Sequence, residues 1–143
     1  MINGANKRTV SLRIDQSLIE FFTGGTNKNI NQSISEALLM YKAMLSEAEF
    51  ELKKRFMPKE WVAMADCLNG CVIEPTLLSK DTLKAEFEDS QSYDGTFSRH
   101  EVVFPLFMRK IDKLTHAQSV ALYNRIRKFW NAENADLYAW SQF

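Results

Sequence analysis

The sequence predicts a mainly α protein: one N-terminal β-strand per chain, paired across a dimer, then an all-helical C-terminal domain. Three observations predict it. Strict two-residue alternation of apolar and polar residues is confined to residues 7–15. Beyond residue 15 the apolar residues recur mostly at helical spacing. Proline and glycine fall at the ends of the periodic stretches. The chain has 143 residues, 45% hydrophobic and 25% charged, an ordinary balance for a globular protein. A chain of this size can bury about 68–70% of its unfolded surface, so a core forms without metals or disulfides.

Residues 1–6 are polar with one glycine and are expected to be a flexible arm. In residues 7–15, KRTVSLRID, the apolar Val10, Leu12 and Ile14 alternate with Thr9, Ser11 and Arg13. This is the pattern of a strand with one apolar and one polar face. Asp15 is placed as a helix N-cap whose carboxylate accepts a free backbone N–H. Leu18, Ile19, Phe21 and Phe22 form the apolar side of a short helix, which Gly24-Gly25 ends. Asn29 caps a second helix with Ile30, Ile34, Ala37, Leu38, Tyr41, Met44 and Leu45 at helical spacing. Its continuation through residues 47–55 offers Glu49/Lys53 and Glu51/Arg55 as i,i+4 pairs. Met57-Pro58 stops it.

Pro58 opens a third helix with Trp61, Val62, Met64, Ala65 and Leu68, ended by Asn69-Gly70. Thr76 or Ser79 opens a fourth, carrying Leu83 and Phe87, and Asp94-Gly95 turns the chain. Residues 104–114 read as a fifth helix with Pro105 in its first turn. Thr115 and Gln118 form a capping box for a sixth, which runs to about Asn131. The tail supplies one further turn or helix. The expected organisation is therefore arm 1–6, N-terminal unit 7–46, helix extension or linker 47–57, and helical C-terminal domain 58–143.

Lysine plus arginine number 18 and aspartate plus glutamate 18. The zero net charge hides an uneven layout. Residues 1–14 carry Lys7, Arg8 and Arg13 and no acid; residues 61–104 sum to −5 and residues 105–130 to +5. Global attraction to a polyanion is weak, so any such binding rests on a local basic feature. The longest apolar stretch, Val102–Met108, is seven residues, far short of the roughly 20 that cross a membrane. With no apolar run of signal-peptide length at the N-terminus, the expected location is cytoplasmic.

A lone amphipathic strand must find a partner for its backbone N–H and C=O groups. A second copy is the economical one: two strands pair antiparallel about a two-fold axis and bury Val10, Leu12 and Ile14, with Leu18, Ile34 and Leu38 completing the dimer core. The outer face then presents Thr9, Ser11 and Arg13 twice, on a ribbon narrow enough for the DNA major groove. With RTVSLRID as the strand and NKNINQSISEALLMY as the second helix, residues 7–45 resemble a ribbon–helix–helix domain of the Arc and MetJ type. The resemblance implies base readout by Thr9, Ser11 and Arg13. It also implies phosphate anchoring by Lys28, Asn29, Ile30 and Asn31 at the start of the second helix, to which Lys7 and Arg8 add charge. The implied function is a bacterial, phage or plasmid regulator, a repressor acting as a homodimer or higher assembly on double-stranded DNA.

Other constellations carry less. Cys67 and Cys71 straddle a turn, with His100 and His116 distant in sequence, which is not a zinc-ligand spacing. No cofactor or metal is expected. Glu86, Glu88, Asp89 and Asp94 lack a calcium-loop pattern and read as a solvated face. No glycine-rich phosphate loop or nucleophile motif is present, so an enzyme is not expected. The aromatic tail, with Trp130, Tyr138, Trp140 and Phe143, either folds back as core or anchors a partner protein. The second choice belongs to an alternative reading, a protein-binding inhibitor or antitoxin-like protein whose N-terminal unit mainly dimerises.

Overall fold

Every regular element among the described residues of the computed structural model is a helix; the described residues are 7–25, 29–132 and 136–142, without the side chains of Leu137 and Tyr138. The elements are α1 (Gln16–Thr23), α2 (Ile30–Leu52), α3 (Pro58–Cys67), α4 (Lys80–Asp94), α5 (Thr96–Arg99), α6 (Phe104–Asp112), α7 (His116–Trp130) and α8 (Leu137–Ser141). This overturns the expected N-terminal strand. Residues 7–15 carry the alternation but belong to no strand. Alternation says which side each residue would face if extended; a strand also needs a neighbouring backbone edge to bond. The described elements are helices, whose backbone groups bond within themselves, and they offer no such edge.

The chain divides into two compact units, Met1–Tyr41 and Lys42–Phe143. In the first, α1 is closed by Gly24 in the left-handed conformation (φ 69°), where glycine has no Cβ to clash. Asp15 is its N-cap, but by its carbonyl, which accepts from the N–H of Leu18 (3.0 Å) and Ile19 (3.2 Å). The predicted carboxylate bond is not made. Ile14, Ile19, Ile30, Ile34 and Ala37 are half-buried, and no described residue of this unit is fully buried.

The second unit holds the core. Phe107 is its hub, with ring centroids 4.6 Å from Phe97, 5.5 Å from Phe87 and 5.9 Å from Phe56. Leu52, Trp61, Met64, Leu83, Ile111, Leu122 and Ile126 close around these rings at 1% exposure or less. Residues 47–57, expected as a helix extension or linker, continue α2 as far as Leu52 and supply Ala48, Leu52 and Phe56 to this core. The local signals set the helix ends. Ser79 accepts from the N–H of Thr82 (3.2 Å), and Gly95 (φ 65°) ends α4. Thr115 accepts from the N–H of Gln118 (3.1 Å), whose side chain accepts back from the N–H of Thr115 (3.0 Å).

The i,i+4 pairs expected in α2 go elsewhere. Glu49 binds Arg125 of α7 at 3.2 Å. Glu51 accepts from the Gln118 amide at 2.5 Å, and Arg55 donates to Gln118 (3.2 Å) and to the Lys113 carbonyl (3.3 Å). These long-range bonds fasten the end of α2 to α7, where helix-surface pairs would have gained only about 0.2–0.5 kcal/mol each.

Phe107→Ala removes the hub. It is expected to cost about 3–5 kcal/mol, read as a lower urea midpoint at unchanged slope. A loss under about 1 kcal/mol contradicts this packing.

Candidate nucleic-acid interface

The N-terminal segment reaches water with most of its side chains. Lys7, Arg8, Thr9, Ser11 and Arg13 are all exposed. Three cations without an intervening acid lie within seven residues, a local positive field that the neutral chain as a whole does not have. With no strand formed, Thr9, Ser11 and Arg13 are not ordered on one face of a ribbon. They are solvent-facing residues of an irregular segment.

The start of α2 is a second positive feature. Asn29 adopts φ 56°, a left-handed conformation that asparagine tolerates better than most residues. Its carbonyl accepts from the N–H of Ser33 (2.9 Å). Asn29 and Asn31 are exposed and Ile30 is half-buried. The first N–H groups of a helix have no carbonyl one turn back, and the first turn of α2 carries no acid, so the positive end of the helix dipole is uncompensated there. Lys28, expected beside this turn, lies outside the described residues.

The residues expected in a dimer core divide sharply. Ile14 and Ile34 are half-buried within the unit. Val10, Leu12, Leu18 and Leu38 are 49–67% exposed. Phe21, Phe22, Leu39, Met40 and Tyr41 join them, Phe21 at 79% and Met40 at 73%.

The aromatic tail is core wherever it is described. Trp130 is half-buried and donates its indole N–H to the Ala65 carbonyl (3.0 Å). The Trp140 ring lies 5.7 Å from Trp61 and 4.8 Å from Phe129. Arg125 lies against both indoles, 5.4 Å from Trp61 and 5.0 Å from Trp140, and donates to the Trp140 carbonyl (3.1 Å). Burial pulls the Arg125 pKa below its usual value, against the opposing pull of Glu49. This clasp was invisible in the sequence, because its members come from α2, α3, α7 and α8. The Tyr138 side chain and Phe143 lie outside the described residues.

Cys67 and Cys71 flank Glu86. Cys67 donates to the Glu86 carbonyl at 3.5 Å, and burial, with the Glu86 charge, raises the Cys71 thiol. His100 is bound to Asp66 (2.8 Å), and His116 is exposed at the start of α7. Among the described residues no group of three or more His, Cys, Asp or Glu is placed to hold a metal ion. Cys67, Glu86, Asp89, Ser90, Ser92 and Tyr93 line an open depression of about 600 Å³. Among the described residues no helix is long and apolar enough to cross a membrane.

No family model matches the chain, and neither the curated proteins nor the solved structures contain a match to it.

Burial pushes the Cys67 thiol up to about 12, and Cys71 is raised by the same cause. Only the thiolate is nucleophilic, so Cys67 holds almost none at pH 8. Iodoacetamide labelling read by peptide mass is expected to modify Cys71 at least about tenfold faster than Cys67. Equal rates contradict the burial of Cys67.

Proposed function

We propose that the chain is a homodimeric DNA-binding regulator. Its N-terminal unit closes on a second copy, and its basic N-terminal segment contacts duplex DNA. Occupancy of an operator or promoter by the dimer then blocks access to that stretch. The supporting observation is the apolar surface of the N-terminal unit. Nine large apolar side chains, from Val10 to Tyr41, are exposed there. Together they offer roughly 1,000 Å² per copy, against the roughly 800 Å² per partner of a standard interface. Isolated exposed hydrophobics need no explanation; nine in one small unit are what supports an interaction surface here.

Charge favours a second copy as the occupant. Residues 7–41 hold Lys7, Arg8, Arg13 and Lys28 against Asp15, Glu20 and Glu36. Two such surfaces meet with little like-charge repulsion. Association also doubles the basic segment. Six cations from Lys7, Arg8 and Arg13 of two copies give a salt slope of about −5 if each neutralises one phosphate. A single copy gives half of that, too little for firm binding at physiological salt.

The test is fluorescence anisotropy on duplexes selected from a random library, with the full chain. The triple variant Lys7→Ala, Arg8→Ala, Arg13→Ala is expected to bind at least about tenfold more weakly at low salt, with a flatter salt slope. Phe21→Asp with Leu38→Asp is expected to lose binding by losing the dimer. A wild-type chain that enriches and binds no duplex overturns the reading.

A further inference from the structure

A second basic surface lies wholly within the C-terminal unit, where the fold joins two segments distant in sequence. The turn after α2 carries Lys53, Lys54 and Arg55, and Lys59 follows in the first turn of α3. The end of α6 carries Arg109, Lys110 and Lys113. Two contacts bring the segments side by side: Arg55 donates to the Lys113 carbonyl (3.3 Å), and Lys110 pairs with Glu60 (2.6 Å). The α7 N-terminus follows directly, with Thr115 and His116 exposed.

The acids of this region are largely committed. Glu60 is 2% exposed and bound to Lys110 and to the Met57 N–H. Asp112 pairs with Lys84 of α4 at 2.5 Å, and this hydrogen bond holds its pKa below the usual carboxylate value. Glu51 accepts from Gln118. Glu101 is exposed, and its carbonyl accepts from Lys59 (2.9 Å). Against these, Lys53, Lys54, Arg109 and Lys113 are exposed and form no ion pair among the described residues.

We infer that this surface is a second contact for the nucleic-acid backbone, engaging phosphates without reading bases. This rests on the DNA-binding reading above. Lysines on a flexible stem suit phosphate as point charges. A protein partner is less suited, because interfaces centre on a desolvated apolar patch with a polar rim, and the exposed apolar side chains of these segments, Phe50, Met57 and Leu106, are scattered among seven cations. The surface gives the C-terminal unit a role in affinity, and it places charge where the neutral total conceals it.

The test measures anisotropy against salt for the full chain with its selected duplex and with a scrambled duplex. Three proteins are compared: wild type, the variant Lys53→Gln, Lys54→Gln, Lys113→Gln, and the N-terminal triple-alanine variant. The three lysines are exposed, so circular dichroism and melting temperature serve as the control for folding. The expected result is that the lysine variant loses at least about tenfold in affinity at low salt, equally for both duplexes, with a slope shallower by about two or more. A lysine variant that binds like wild type, while the N-terminal variant loses binding, overturns this surface and leaves the proposed function standing. A lysine variant that loses binding, while the N-terminal variant does not, supports this surface and overturns the N-terminal contact. Displacement by polyglutamate as effective as by DNA of equal charge overturns the nucleic-acid assignment.

Discussion

Apolar surface that the N-terminal unit cannot cover by itself is the constraint from which the functional account follows. α1 and the first half of α2 turn Ile19, Ile30, Ile34 and Ala37 partly inward. Two short stretches of helix have too few neighbours to enclose more than that. Phe21, Phe22, Leu38, Leu39 and Met40 stay in water, each at a hydrophobic cost of about 25 cal/mol per Å² left exposed. A second copy would relieve this cost and double the basic segment that precedes α1. Dimerisation and DNA contact are thereby one proposal, with a single physical origin.

The C-terminal unit shows the opposite condition. Phe107 meets four other phenylalanines, and α8 is held to α3 and α7 by Trp140 and Arg125. Arg125 is costly to bury, and the two indoles, Glu49 and the Trp140 carbonyl together offset that cost. The same arrangement seats Trp130 and Trp140 as core. Tail aromatics therefore serve the fold here.

What was legible in the sequence was local. Ser79, Thr115 with Gln118, Gly24 and Gly95 mark helix ends because a cap is decided within four residues. Trp61, Met64, Ala65, Leu68, Leu83 and Phe87 were legible as core through helical spacing. The strand at residues 7–15 failed for the reason that caps succeed: alternation is local, but a ladder needs an edge from elsewhere. The Arg125 clasp and the Glu51–Gln118–Arg55 network were illegible because they join residues more than 60 positions apart. The basic surface was hidden by arithmetic. Residues 46–60 sum to zero, yet the fold commits Glu49 to Arg125 and Glu60 to Lys110, leaving Lys53 and Lys54 uncompensated.

The central claim is that the N-terminal unit is completed by another copy of itself. Sedimentation equilibrium of the full chain over a wide concentration range tests it most directly. The account predicts the mass of two chains or more for the wild type, and the mass of one chain, with helical content of the C-terminal unit kept, when Phe21 and Leu38 are both replaced by aspartate. A wild-type chain that keeps the mass of a single copy at every concentration contradicts it.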